Sequence, residues 1–167
     1  MDFPDPSHPH EDPREVLLEY LDFYRGVLRE KATGLDDAAL RMSRVPSGWT
    51  PIESIKHLVH VERRWLVWGF EGEDVGDPWA DERDDRWFVA ADEQLEALLD
   101  ELDLGGRRTR EIVMAHALTD IGAPSERWRG EPPPTLERVL LHLQQEYARH
   151  TGQLDNVREL IDGATGE

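Results

Sequence analysis

Apolar residues recur at helical spacing in four long stretches of this chain, and nowhere do they alternate as along a β-strand. The first stretch opens at Asp12-Pro13, an N-cap aspartate followed by proline at the first helical position. Its stripe is Val16, Leu17, Tyr20, Leu21, Tyr24 and Leu28, and it closes near Thr33-Gly34. A short helical turn is expected over residues 36–42. Thr50-Pro51-Ile52-Glu53 has the form of a capping box and heads a second helix that runs to about residue 70. After the acidic loop GEDVGDPWADERDDRW comes a third helix over residues 91–118, which Gly105-Gly106 should kink or divide. The loop GAPSERWRGEPPP leads to Thr135, the expected cap of a fourth helix that runs to about residue 161 and stops at Gly163.

Four amphipathic helices without a strand predict an all-α fold, a four-helix bundle forming one domain over residues 13–167. The two long inter-helix loops imply a chain path other than the simplest up-down-up-down order. Residues 1–12, acidic and rich in proline, read as a flexible tail that contains His8 and His10.

Composition narrows the function. Lys+Arg number 19 against 36 Asp+Glu, a formal charge of −17, which disfavours nucleic acid or an anionic membrane surface as partner. There is no cysteine, so the chain supplies neither a disulfide nor a thiolate, and a zinc site would rest on histidine and carboxylate. No apolar run is long enough to span a bilayer, and the first residues lack the basic and apolar segments of a signal peptide. The expected location is cytoplasmic. Lys31 and Lys56 are the only lysines, an arginine bias of the kind a GC-rich genome gives.

The candidate chemistry lies on the fourth helix. On a helical wheel Val139, Leu143, Tyr147, Leu154, Val157 and Ile161 share one stripe. Glu146 and His150 fall within it, one turn apart, with His142 and Gln153 on its flank. A buried carboxylate and imidazole are costly unless paired, and bundles build metal sites from such inward-facing groups. The pair offers one oxygen and one nitrogen, and a catalytic zinc site uses three protein ligands. His57, His60, His116 and His142 are the candidates for the third. An i, i+4 Glu/His pair is also a common helix contact, and the tryptophans read first as packing. The helix lacks the His-Glu-x-x-His and His-x-x-Glu-His patterns of metalloproteases.

Two segments resemble a known family. SGWTPIESIKHLVHVERRW resembles the second-helix segment of the DinB-like superfamily, where a histidine before leucine ligates metal. EYARHTGQLDNVRELIDGATGE resembles its last-helix segment, with a His-x-Gly-Gln core. The likeness is to the actinobacterial branch, and to the metal-binding domain of mycothiol-dependent maleylpyruvate isomerase, from about residue 13 onward. Carried across residue by residue, it implies a divalent metal on His57, Glu146 and His150, zinc first and nickel second. The glutamate at 146, where many DinB-like chains have histidine, matches the mycothiol-linked branch.

The resemblance further implies a homodimer and a thiol-dependent transferase or isomerase, with mycothiol as cosubstrate and a small electrophile as substrate. His60, Glu62, His142 and Gln153 are candidates to support the ligands, and Arg63, Arg64 and Arg149 to meet an anionic group. Two other readings keep the metal: a hydrolase using metal-bound water, and a metal-binding protein without a reaction.

Overall fold

A computed structural model of the chain describes residues 3–7 and 12–165; His8 and His10 lie outside them. The long helices are α1 (Pro13–Thr33), α3 (Pro51–Glu62), α4 (Leu95–Ala115) and α5 (Leu136–Asp162), with a short α2 (Asp37–Leu40) between the first two. α1 packs on α4 and α5, and α3 packs on the same two, so α1 and α3 stand diagonally across the core. The bundle is therefore not the simplest up-down-up-down ring, as the long loops implied. No helix among the described residues is long and apolar enough to cross a membrane. Within the expected tail, Phe3 sets its ring edge-on to Tyr20 and Phe23 of α1.

α3 is the central helix. Every residue from Pro51 to Glu62 except Glu53 is buried, which is why its sequence shows two apolar sides rather than one stripe. Its start follows the capping pattern, with the Glu53 carboxylate accepting from the Thr50 backbone N–H at 2.8 Å and from its hydroxyl at 3.0 Å. Beyond Glu62 the helix widens into a π-helical segment, Arg63–Phe70, where the Glu71 N–H reaches five residues back to the Leu66 carbonyl. Gly69 makes room for this. A Cβ there would lie 2.9 Å from the Arg64 carbonyl oxygen and 3.0 Å from the Trp128 indole.

Four expectations need correction. The buried line of α1 is Leu18, Leu21, Arg25, Leu28 and Ala32, whereas Val16, Leu17, Tyr20 and Tyr24 are only partly covered. The helix is rotated so that Arg25 faces the core. Gly105-Gly106 does not divide α4, which runs unbroken from Leu95 to Ala115. These glycines provide space: a Cβ at Gly106 would sit 3.0 Å from Arg25 Nε, and one at Gly105 would sit 3.6 Å from Glu62 Oε2. Thr135 stands at the N-cap of α5 but makes no side-chain cap; the carbonyls of Asp120 and Leu118 accept from the N–H groups of Leu136 and Glu137 instead. Finally, the acidic loop holds a two-residue hairpin, β1 (Glu82–Arg83) with β2 (Arg86–Trp87). Asp84 and Asp85 turn it with φ of 53° and 58°, the sign a tight hairpin turn demands and that aspartate tolerates.

Arg25 is buried because Glu62 is. The Glu62 carboxylate, 2% exposed, accepts from Arg25 of α1, from the Thr109 hydroxyl of α4 at 2.5 Å and from the Tyr147 hydroxyl of α5 at 2.8 Å. Burial works against the Arg25 charge, but Glu62, Tyr147 and Asp22 together more than offset it and raise the guanidinium pKa. Removing one partner of such a pair strands a charge in the core. Arg25→Met is expected to cost about 3–5 kcal/mol in urea unfolding, and the double variant with Glu62→Met less than the sum of the two singles. A cost below about 1 kcal/mol for Arg25→Met would show that the helices are not held together here.

Candidate metal centre

α3 and α5 pack side by side and bring His57 against Glu146 and His150. One ligand atom from each lies within 4.8 Å of the others, and the two imidazole rings meet edge to face with centres 5.1 Å apart. His57 and His150 are 9% and 6% exposed. Both rings are turned the same way. His57 Nδ1 is 3.0 Å from Asp81 Oδ2, and His150 Nδ1 is 2.8 Å from Gln153 Oε1. An N–H on each Nδ1 would donate outward to these oxygens, and His150 Nε2 lies 3.2 Å from Glu146 Oε2. Burial lowers the pKa of His150, which keeps its ring neutral and able to donate a lone pair.

Asp81 is the anchor of this arrangement. It is 1% exposed and receives two hydrogen bonds from Arg64, itself 3% exposed. Arg64 is held in turn by the Pro78 carbonyl at 2.9 Å. Burial works against the Asp81 charge, but the bonds from His57 and Arg64 hold its carboxyl below the usual aspartate range. An ionised Asp81 obliges His57 Nδ1 to carry its proton, the carboxylate–histidine pairing that fixes metal-binding imidazoles elsewhere. His57, Asp81 and Glu82 form a second group with ligand atoms this close. Asp81 is already committed to Arg64 and Glu82 is exposed, so the His57/Glu146/His150 set is the better donor cluster.

Trp87 closes one side. The hairpin lays its indole on the His57 ring, 4.2 Å between centres and 22° from parallel, and meets the His150 ring at 68° with centres 5.0 Å apart. On the other side His142 Nε2 is 3.5 Å from Glu146 Oε1, and its ring is 4.2 Å from that of Trp65. Glu146 therefore lies between two imidazoles.

The remaining expected groups fall in different places. Gln153 and His142 touch ligands directly. His60 is buried with Nδ1 3.9 Å from Asp81 Oδ1 and without a hydrogen bond among the described residues; burial lowers its pKa. Glu62 faces the core network rather than the ligands. Arg64 is committed to Asp81, Arg63 to the Val75 carbonyl, and Arg149 is exposed. His116 pairs with Glu71 and Asp120, away from the cluster. Sequence reasoning missed Asp81 and Trp87. Asp81 is one acid among many in its loop, and the indole of Trp87 reads as packing until the hairpin is seen.

A DinB-like helical bundle with a His/Glu/His cluster between its central and last helices is the class that fold and site define. The family model described as Mycothiol-S-transferase matches residues 16–163, and the chain belongs to that family. Among solved structures it resembles a conserved protein of a locus from Enterococcus faecalis, with a TM-score of 0.63 and 18% identity over 93% of this chain and 100% of that one. That likeness shows the fold. No curated protein matches the chain.

Asp81→Asn would leave Arg64 buried without its counter-charge, and is expected to cost about 3–5 kcal/mol in urea unfolding. Glu82→Gln, on the exposed side of the same loop, should stay within about 0.5 kcal/mol of the parent. Equal effects for the two would remove Asp81 as the anchor.

Proposed function

We propose that the protein is a metal-dependent thiol S-transferase that binds one divalent ion, zinc or alternatively nickel, on His57 Nε2, Glu146 and His150 Nε2, with mycothiol as cosubstrate. The observation that carries the reading is the orientation of the two imidazoles: Asp81 and Gln153 take both Nδ1 atoms, His150 Nε2 lies beside the Glu146 carboxylate, and a ring nitrogen of His57 lies within 4.8 Å of both. The donor set of two nitrogens and one oxygen suits such an ion and leaves a position for a further ligand. When bound there, the ion would lower the pKa of a thiol and stabilise its thiolate.

The chain's own residues have distinct parts. Asp81 and Gln153 fix the tautomers of His57 and His150, so neither ring must reorganise before it donates. His142 holds the second oxygen of Glu146. Trp87 covers the rings of both histidines and keeps water from that side of the cluster. The chain has no cysteine, so the nucleophilic sulfur must arrive with the cosubstrate, in keeping with family membership.

Purified protein should retain about one equivalent of divalent metal, and His150→Ala should lose it. Gln153→Ala should keep the ligands but bind metal about 10–100-fold more weakly in competition with a chromophoric chelator. Parent protein without metal affinity would sink the proposal. With metal present, the expected reaction is metal-dependent conjugation of mycothiol to a small electrophile, lost in His150→Ala. Hydrolysis of an ester without thiol would instead establish the metal-bound water reading.

A further inference from the structure

Beyond His142 and Trp65 lies a cation with no counter-ion among the described residues. Arg127, in the 3-10 turn Glu126–Trp128, places its guanidinium carbon 4.2 Å from the ring centre of Trp65, 5.7 Å from Trp79, 5.8 Å from Trp128 and 6.0 Å from Trp68. Its Nε is buried and has no hydrogen-bond partner among the described residues. Burial lowers its pKa, and the charges that act on it are those of Arg64 and Arg129, which push the same way. In a chain with 36 acidic and 19 basic side chains, a half-buried arginine with only cations for electrostatic neighbours is contrary to chance. Indole faces offset part of the cost of desolvating a guanidinium, but they do not supply the oxygen acceptors its N–H groups require.

Arg127 is also close to the metal centre. It and His142 flank the same Trp65 ring, each about 4.2 Å from its centre, and His142 touches Glu146. We infer that Arg127, backed by Trp65 and Trp128, is the subsite for a carboxylate on the small electrophile that meets the thiol at His57, Glu146 and His150. A guanidinium pairs with a planar carboxylate through two parallel hydrogen bonds. A single cation in a chain of charge −17 suits a monoanion better than a phosphorylated ligand. The assignment of the carboxylate to the electrophile rests on the thiol-transfer reading, whereas the anion subsite rests on the surroundings of Arg127.

The test has two arms. In the first, metal-loaded protein and mycothiol are given iodoacetate or iodoacetamide, which differ in charge and share a leaving group. The thiol sulfur bonds to the methylene carbon, the carbon–iodine bond breaks to release iodide, and the thiol proton passes to buffer. With no cysteine in the chain, the added thiol is the only one present. The parent should prefer iodoacetate, relative to the uncatalysed ratio, and Arg127→Met should reduce that preference about tenfold or more, a loss of one good ion-pair contact. Arg127→Lys should retain part of it, and Arg138→Met, at an exposed position, all of it. In the second arm, indole fluorescence is followed while acetate, or acetamide as neutral control, is titrated. A saturable response to acetate alone, lost in Arg127→Met, is expected. Acetate binding without thiol conjugation would keep the subsite and overturn the transferase reading. Conjugation with no iodoacetate preference and no acetate response would overturn the subsite and leave the transferase.

Discussion

One buried carboxylate sets the geometry on which everything else depends. Glu62 lies in the middle of the bundle and is reached by Arg25, Thr109 and Tyr147, so it ties the central helix to each of the other three long helices. A charge in a low-dielectric core is tolerated only where its partners are fixed, and fixing them fixes the helices that carry them. Tyr147 follows Glu146 directly and precedes His150 by three residues, while Glu62 follows His57 by five on the adjoining helix. The hydroxyl bond from Tyr147 to Glu62 therefore sets the register of α5 on α3, and that register is what makes His57 face Glu146 and His150. Gly106 of α4 belongs to the same constraint, because a larger side chain there would crowd Arg25.

A second ion pair extends this order outward from the core. Arg64 stands on the π-helical continuation of α3 and draws Asp81 from the acidic loop into a fully covered position. Asp81 then fixes His57, and the hairpin that follows delivers Trp87 onto the same ring. The loop is long and polar, yet Asp81 within it and Trp87 at its end are positioned by one salt bridge and one ring stack. Widened helical turns recur where a side chain must be aimed at a site, and here the aimed side chain is Arg64.

Much of this was legible in the sequence where a local rule governs. Caps at Asp12, Thr50 and Gly163 and the helical period of α5 depend on neighbouring residues, and they placed the helices and the Glu146/His150 pair. The third ligand was not legible by periodicity, because α3 is buried nearly all round and no face stands out; the resemblance of its segment singled out His57. Asp81, the rotation of α1 toward Arg25 and the hairpin were hidden for a common reason. Each depends on a long-range ion pair or ring contact, and an acid that will be buried looks the same in sequence as the solvated acids around it.

The charge balance of the centre links these layers to the proposed chemistry. Asp81 pairs with Arg64, burial lowers the pKa of His150, and Glu146 is the one carboxylate of the proposed donor set. A divalent ion on this set would therefore keep one net positive charge inside a chain that carries −17 overall. That local reversal of sign favours a thiolate over a thiol at the centre, since the stabilisation of an anion grows with the uncompensated charge beside it and with the exclusion of water. Arg127 would continue the same reversal along the tryptophan-lined side, past His142 and Trp65, once the proposed ion is bound. With the proposed ion bound, an anion repelled by the chain's overall charge would meet a favourable place beside the converging donor atoms.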